Sequence, residues 1–441
     1  MRAKKQQPSK RQLTTRVSLV LAGIVLLNGA LLDTAQAQVS PPAVQGGQQS
    51  AQTPSDAQLS PRLSGRNNLE ADIAQSQQQL QRLIATPGTS LVAVARERAR
   101  LGALHYLNRQ PLKAVTQLRM AIPPLEQELG IFSHQLVEPL GYLGLSQQQL
   151  EQHEAAADTL TRAQHITHRA FGTLNETQIP LVYSKADSLQ AQGEWWQAEQ
   201  LQRTVYRLHK HNFGIDAPET LGALNQLGTW LTRAGRTNSA LSLYRTGLKD
   251  LKDSNGNDTP AMAPLLEGMA RAFLFSNTAR GRSLNLLLRV QKLTLQHPDH
   301  FGPADRLMAN LQLADSLMLF SLERDAMPHY LEAWNTVQNS TGLSAWERNQ
   351  FADRRLVSGP FEELSEQQAQ TRVHFHFSFD LRKDGRPSNV KLINTTASPT
   401  LALPTLATFR AVRFRPKFSQ QQAVERPNQE IWVSYRRPTR S

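Results

Sequence analysis

Cysteine is absent from all 441 residues, so the chain can form neither disulfides nor thiolate metal sites, and packing alone must stabilise it. Hydrophobic residues make up 39% of the chain, which is enough for globular packing but too little for a multi-span membrane protein. The apolar run at residues 17–32 is shorter than the roughly 18 residues that a spanning helix needs. Composition therefore excludes both a disulfide-stapled domain and a polytopic transporter.

Sequence motifs for catalysis are also missing. The chain has no complete nucleophile elbow, P-loop, dinucleotide fingerprint or zincin motif. The acidic stretch at residues 253–258 lacks the alternating ligands and distal Glu of a calcium loop. The histidine pairs His165 with His168, and His374 with His376, have no third ligand nearby. We therefore predict a protein that is not an enzyme and that has no cofactor and no metal.

The N-terminus has the features of an export signal. Six basic residues precede the apolar run at 17–32, and Ala35 and Ala37 then supply an A-x-A cleavage site. We predict a signal peptide at residues 1–37 that is cleaved before Gln38, and hence a periplasmic protein. The alternative is an uncleaved inner-membrane anchor at residues 17–32 that leaves the rest of the chain facing the periplasm.

Basic charge is concentrated at the C-terminus. The chain has 49 basic and 36 acidic residues, and residues 370–441 hold 13 of the basic but only 4 of the acidic ones. Residues 1–37 hold six basic residues and one acidic residue, so the middle of the chain, residues 38–369, is nearly neutral. An acidic protein segment, an anionic lipid or an anionic polymer is therefore expected to contact the C-terminal part. Nucleic acid is not an expected partner in this compartment.

Small residues recur with a period of 42 residues after a Gln-, Ser-, Pro- and Gly-rich stretch at 38–68 that we predict to be a disordered linker. These small residues occupy three equivalent positions in each 42-residue repeat, and the residues at one such position form a column. The first column lies in the middle of the first predicted helix, and the second lies near the start of the following helix. The third column lies at the end of the repeat. Small side chains at the first two positions let the two helices approach closely, and the closing glycine ends the second helix. The columns are Gly102, Gly144, Ala186 and Gly228; Ala114, Ala156, Ala198 and Ala240; and Gly130, Gly172, Gly214 and Gly256.

These positions resemble the tetratricopeptide repeat and, more closely, its 42-residue variant in kinesin light chains. The same spacings return at Ala314, Ala326 and Gly342, so we predict about six helical hairpins within residues 69–350. The resemblance implies a mainly α fold, a helical-hairpin superhelix whose extended surface binds a protein or a peptide. A structural spacer without a specific ligand is the other interpretation.

The C-terminal part has a different pattern, after a polar connector predicted at residues 351–370. Apolar and polar residues alternate over 373–381, a turn follows at Asp384 and Gly385, and a second strand is expected at 389–394. A helix at 401–412 and a last strand at 430–435 complete a β-β-α-β order. We predict a small α+β domain at residues 371–438.

This domain resembles the C-terminal domain of the TonB energy-transducer family in the segments FDLRKDGRPSNVKLINTT and LPTLATFRAVRFRPKF. The resemblance makes Gly385 the hairpin glycine, Val390 part of the second strand, Phe414 a core anchor and Pro416 the helix stop. It also implies that the last strand is an exposed edge that captures a partner peptide by strand addition. The residues of that expected edge are Ile431, Val433 and Tyr435.

Two binding modules without a catalytic motif indicate a periplasmic adaptor, in which the repeats bind one protein or peptide and the basic domain binds an envelope partner. A TonB-like transducer or transport accessory component, anchored by residues 17–32, is the alternative from another functional class. A third possibility is an accessory factor for cell-wall or polysaccharide assembly.

Overall fold

The computed structural model describes residues 68–276, 279–351 and 355–435. The predicted signal peptide at residues 1–37 lies outside the described residues, as does the predicted linker up to residue 67. Contacts divide the described chain into two compact units, residues 68–227 and residues 228–435.

The chain is helical from residue 69 to residue 351, apart from short turns and the two residues that are not described. The longer helices are α1 (Leu69–Ala85), α2 (Leu91–Leu107), α3 (Pro111–Leu129), α4 (Val137–Gln149), α5 (His153–Phe171), α6 (Ile179–Ala191), α7 (Trp195–Phe213), α8 (Pro218–Arg233), α9 (Thr237–Asn255), α10 (Ala263–Ser276), α11 (Arg280–Gln296), α12 (Pro303–Leu319) and α13 (Glu323–Asn339). A four-residue helix, α14 (Ala345–Arg348), follows. Single 3-10 turns lie at His134–Leu136, Glu176–Gln178, Pro260–Met262 and Asn349–Phe351.

Glycine ends the second helix of four successive pairs. Helices α3, α5, α7 and α9 each stop at a glycine whose φ lies between +83° and +87°, a conformation that favours glycine because it has no Cβ. In each case the glycine N–H donates to the carbonyl four residues earlier, which satisfies one of the free carbonyls at the helix end. The glycines are Gly130, Gly172, Gly214 and Gly256.

The two helices of a pair differ in how they are buried. Every residue of α4 from Pro139 to Gln147 is buried. Its partner α5 buries one face only, at Ala156, Ala157, Leu160, Ala163, Gln164, Ile166 and Thr167. A helix that is buried nearly all round lies between neighbours, whereas one with a single buried face lies at the surface. We call α4, α6, α8, α10 and α12, which share this extensive burial, the inner helices of their pairs. Their partners α5, α7, α9, α11 and α13, each with one buried face, are the outer helices.

Small residues permit the close approach within the pairs. A Cβ built on Gly144 would lie 2.6 Å from Cγ of Leu160, and one built on Gly102 would lie 2.5 Å from Cγ of Leu118. In the other unit, a Cβ on Gly228 would lie 2.3 Å from Cζ of Tyr244. The column on the second helices is equally enclosed, with no exposed surface at Ala114, Ala156, Ala198 and Ala240.

The C-terminal residues form an antiparallel sheet with strand order β2-β8-β3-β4, and a helix, α16, packs against it through Phe409. Phenylalanines from both layers fill the core, among them Phe361, Phe377 and Phe414, none of which has exposed surface. The elements are β1 (Leu356–Ser358), β2 (Phe361–Leu364), α15 (Glu366–Ala369), β3 (Phe375–Leu381), β4 (Pro387–Thr395), α16 (Pro399–Arg410), β5 (Arg413–Phe414), β6 (Lys417–Ser419), β7 (Gln422–Val424) and β8 (Arg426–Tyr435).

Three details of this region differ from expectation. The stretch predicted as a connector at 351–370 contributes β1 and β2, which pair with β5 and β8 respectively. A hairpin of β6 and β7 follows the helix. Pro416 does not stop the helix, because α16 already ends at Arg410 and the chain forms β5 before reaching the proline.

The C-terminal region contacts the last helix pair, within the unit of residues 228–435, through segments that flank the four-stranded sheet. Phe418 stacks on Trp334 of α13 with ring centroids 6.2 Å apart, and Val357 of β1 belongs to the same apolar cluster as Leu317 and Val337. Two ion-pair groups cross the same contact, one at Asp315 and one at Glu323. The region predicted as a separate domain therefore has a core of its own, but β1, β6 and β7 join the apolar cluster of the last helices.

Glu323, the first residue of α13, accepts hydrogen bonds from Arg386 Nη2 and from Arg413 Nε, each at 2.8 Å. Desolvation by itself would raise the pKa of this carboxyl. The hydrogen bonds from the two arginines and from the Glu323 backbone outweigh it and hold the pKa at about 2.

The interaction of Glu323 with the two arginines predicts how stability depends on pH. A carboxyl whose pKa is lower in the folded state stabilises the fold above its unfolded pKa, and the contribution is lost as pH falls from about 4.5 toward 2. We expect the free energy of unfolding to fall by about 2 kcal/mol between pH 6 and pH 3 through this group. Glu323→Gln should reduce that slope in denaturant titrations of the full chain. Glu154→Gln, at an exposed position of α5, is the control and should leave the slope unchanged; equal slopes for all three proteins would contradict the assignment.

Candidate binding surfaces

The repeat columns are structural positions in the described chain. The glycines of the first column face the second helix of their pair, the alanines are fully enclosed, and the third column caps helices. None of these residues offers a side chain that a ligand could contact. Any binding surface of the repeats must consist of other residues.

On the inner helix α6, accessible polar side chains are rare. Residues Ile179 to Ser184 are all buried, whereas Asp187 and Ala191 are exposed and Gln190 is partly exposed. Positions separated by three or four residues lie on one face of a helix. The exposed stripe of α6 is therefore narrow, and Asp187 supplies its charge.

Asp187 has no hydrogen bond or ion pair within the described part of the chain. Although the side chain is accessible to solvent, neighbouring protein atoms displace part of its hydration, and this desolvation raises its pKa to about 6. Desolvation and the negative charge of Asp187 likewise raise the pKa of Tyr183, four residues earlier. Lys185, the nearest cation in sequence, instead reaches Gln164, with 3.5 Å between Nζ and Oε1.

The inner helix α12 carries an aspartate that does have a partner. Arg415 donates from Nε to Oδ1 of Asp315 at 2.9 Å and from Nη2 to Oδ2 at 2.5 Å, and both side chains are buried. The hydroxyl of Tyr330 donates to Oδ1 at 2.6 Å, and Arg415 Nη1 donates to Oε1 of Gln350 at 2.9 Å. Although desolvation lowers the pKa of Arg415, the charge and hydrogen bonds of Asp315 raise it overall.

Asp187 and Asp315 occur in the same local sequence. Ala-Asp-Ser-Leu stands at residues 186–189 and again at 314–317, and in each copy the aspartate follows the small residue of the first column. Ser188 Oγ donates to the carbonyl of Ser184 at 3.0 Å, and Ser316 Oγ donates to the carbonyl of Gln312 at 2.7 Å. Sequence reasoning missed both aspartates, although the repeated tetrapeptide was the signal that could have found them.

A third acidic group lies on α10, the inner helix that precedes α12 in its unit. Desolvation raises the pKa of Glu267, and this is opposed by the charge of Arg271 and by a hydrogen bond from Gln312. Glu267 is partly exposed, so inner helices in both units carry a carboxylate that solvent can reach.

In the C-terminal sheet, two residues of the TonB-like motif are brought together. Gly385 has a φ of +79°, its carbonyl accepts a hydrogen bond from the N–H of Phe414 at 2.9 Å, and a Cβ there would lie 2.2 Å from the Phe414 carbonyl oxygen. Phe414 is fully buried and Val390 is 8% exposed, so both belong to the core. Pro416 lies outside this contact, after β5.

The prediction that β8 is a free edge is wrong. β2 pairs with its C-terminal half, with Phe361 opposite Tyr435 and Leu364 opposite Trp432, while β3 pairs along its other side. Ile431 and Val433 have no exposed surface, and Tyr435 packs on Phe361 with ring centroids 4.9 Å apart. The edge strands of this sheet are β2 and β4.

Much of the basic charge in this region is already paired. Arg372 bonds Glu362, Arg386 and Arg413 bond Glu323, and Arg415 bonds Asp315. Lys383, Lys391 and Arg410 are exposed. The attraction for an anionic partner is therefore smaller than the count of charges predicts.

Residues 68–276, 279–351 and 355–435 contain no group of three or more His, Asp or Glu side chains arranged to hold a metal ion. Within the same ranges, no helix combines the length and apolar character that crossing a membrane requires.

Residues 178–253 match the family model for the tetratricopeptide repeat, so the chain contains repeats of this type. No curated protein matches the chain. The prediction of tetratricopeptide-like helical pairs is confirmed by this match, whereas the TonB-like identity of the C-terminal region stays a prediction.

Several solved structures are similar. A Podosopora anserina structure with nearly identical TPR-like repeats of the kinesin light chain type is 18% identical, with 47% of this chain and 97% of that chain covered and a TM-score of 0.39. BtubC from P. vanneervenii is 14% identical over 62% of this chain and 89% of that chain, with a TM-score of 0.35. A Rap protein in complex with Competence and Sporulation Factor is 12% identical over 74% and 89%, with a TM-score of 0.34. At these values the repeat assignment rests on the family match and on the helices themselves.

Proposed function

We propose that this chain is an exported, non-catalytic scaffold of the cell envelope whose repeats bind a protein or peptide partner. The tetratricopeptide fold supports an interaction scaffold, because stacked helix pairs present an extended surface. The observation that carries the proposal is the narrow accessible stripe on inner helices that are otherwise buried. On this stripe Asp187 is exposed and Glu267 is partly exposed.

The C-terminal sheet is assigned a different role from the one its resemblance implies. Because β2 already pairs with β8, strand addition at Ile431, Val433 and Tyr435 is not part of the proposal. Val357 of β1 and Phe418 of β6 join the apolar cluster of α12 and α13, so the C-terminal region covers the last helix pair. We assign it the role of a fixed terminal cap, which repeat proteins need where no further repeat covers the apolar end. Weak contact between its exposed lysines and an anionic envelope component is compatible with that role.

Affinity capture from envelope extracts tests the binding function. Gln226 is exposed on α8 and Gln200 on α7. We expect the full chain to retain a discrete protein that Gln226→Arg loses and that Gln200→Arg, on an outer helix, retains. Equal capture by all three proteins, or no capture at all, would contradict binding through the inner helices.

Mass spectrometry of the mature N-terminus tests the location. We expect a chain that begins at Gln38 and is recovered in the periplasmic fraction. A chain that retains residues 17–32 in the membrane fraction would instead support the anchored, transducer-like alternative.

A further inference from the structure

The chain contains an internal example of what an inner-helix aspartate binds. Asp315 follows Ala314 in the first small-residue column and is held by Arg415, which comes from a segment 100 residues later in sequence. The arginine approaches from outside the helix pair, as a partner's side chain would. This contact shows which chemistry the position accepts.

Asp187 occupies the equivalent position on α6. It follows Ala186, the three residues after the small one are the same in both copies, and the next serine makes the same bond to the carbonyl four residues earlier. The two sites differ in whether an arginine is bound to the carboxylate. Asp315 is 8% exposed beneath Arg415, whereas Asp187 is exposed and has no hydrogen bond or ion pair in the described chain.

The geometry at Asp315 favours arginine over lysine. Two parallel N–H···O bonds, at 2.9 Å and 2.5 Å, join the guanidinium to both carboxylate oxygens. A planar guanidinium fits a carboxylate in this fork-like way, while an ammonium offers a single charged point. The Tyr330 hydroxyl adds a third bond to Asp315, whereas Gln202 stands at the corresponding position 15 residues after Asp187.

We infer that Asp187 is a recognition site for an arginine side chain of the partner protein, equivalent to the intramolecular site that Asp315 forms for Arg415. This inference rests on the proposed function and adds the chemistry of the partner. The bound segment presents an arginine to the stripe of α6, and the carboxylate pairs with it on both oxygens. The last repeat has this place filled by its own terminal cap.

Selection from a display library of short random peptides against the full chain tests the inference. We expect the selected peptides to share an arginine and to lose about tenfold or more in affinity for Asp187→Asn. Replacing that arginine by lysine in the synthetic peptide should cause a similar loss. Asp158 is exposed on the outer helix α5, so Asp158→Asn is the matched control and should bind as the unaltered chain does. Asp187→Asn should still fold, which thermal unfolding checks, because the side chain is exposed and the substitution keeps its size.

The outcomes separate the inference from the proposed function. Peptides that lack arginine, or that bind Asp187→Asn unchanged, would overturn the inference and leave peptide binding by the repeats intact. Loss of binding in Asp158→Asn as well would also overturn it. If no peptide is selected and the envelope capture fails too, both proposals fall.

Discussion

Replacing Asp315 by alanine is expected to lower the free energy of unfolding of the unit of residues 228–435 by about 3–5 kcal/mol. The substitution leaves the Arg415 guanidinium buried without its counter-ion and removes the acceptor of the Tyr330 hydroxyl. An unpaired buried charge costs far more than the net worth of the pair itself. Hydrogen exchange of the α12 and β3 amides, followed against denaturant in the full chain, measures the loss.

Two comparisons sharpen this prediction. The triple variant Asp315→Leu, Arg415→Met and Tyr330→Phe removes both charges and the hydroxyl together and should lie within about 2 kcal/mol of the unaltered chain. Gln350 keeps an acceptor role in it, because Arg355 Nη1 donates to its Oε1 at 2.7 Å. Arg382→Ala removes an arginine that is 57% exposed and 3.9 Å from Asp384, so it should cost less than about 1 kcal/mol. If Asp315→Ala costs no more than Arg382→Ala, the sheet is not held on α12 by this ion pair.

Gly144→Ala is expected to destabilise the unit of residues 68–227 by about 2–3 kcal/mol. The added Cβ would lie 2.6 Å from Cγ and 2.8 Å from Cδ2 of Leu160, and Leu160 has no exposed surface into which it could move. Helices α4 and α5 must therefore separate, which weakens the packing of both. Denaturant unfolding followed by hydrogen exchange in these helices gives the measurement.

Substituting alanine for Gly222 should have the opposite effect and raise the free energy of unfolding. Gly222 lies within α8 and is exposed, and a Cβ built there meets nothing within 4 Å. Alanine has a higher helix propensity than glycine, so Gly222→Ala should stabilise by about 0.5–1 kcal/mol. A result in which both substitutions act alike would show that close helix approach does not explain the column at Gly144.

The repeats were predictable because their signal is periodic and local. Gly102, Gly144 and Gly228 recur at multiples of 42 residues. Each of them lies so close to a side chain of the second helix that a Cβ would clash with it. The closing glycines mark helix ends through their own backbone conformation. Signals of this kind depend on a few neighbouring residues and can be read from sequence.

The pairing of the C-terminal sheet was less accessible. β2 consists of four residues, Phe361–Leu364, in a stretch of glycine, proline and polar residues that carries no clear alternation. Its partner β8 lies about seventy residues later in the sequence, and nothing local specifies that the two strands meet. The sequence therefore predicted a free edge at β8, where in the structure β2 is paired.

The ion pair between Asp315 and Arg415 could not be read from either residue alone. Both stand among ordinary charged residues, and only the fold brings them within 2.5 Å across 100 positions of sequence. The equivalence of Asp187 and Asp315, by contrast, was visible as a repeated Ala-Asp-Ser-Leu. The role of the aspartate could be seen only in the structure, because a repeated tetrapeptide can reflect helix packing as easily as ligand recognition.

Photocrosslinking in living cells tests binding through the inner helices most directly. A photoreactive amino acid is placed in turn at Gln190 and Gln226 on accessible stripes, and at Asp158 and Gln200 on the outer helices α5 and α7. We predict a discrete crosslinked protein of the cell envelope at the first two positions and none at the others. Crosslinks confined to the outer helices, or the same adducts at all four positions, would contradict a scaffold that binds its partner through the inner helices.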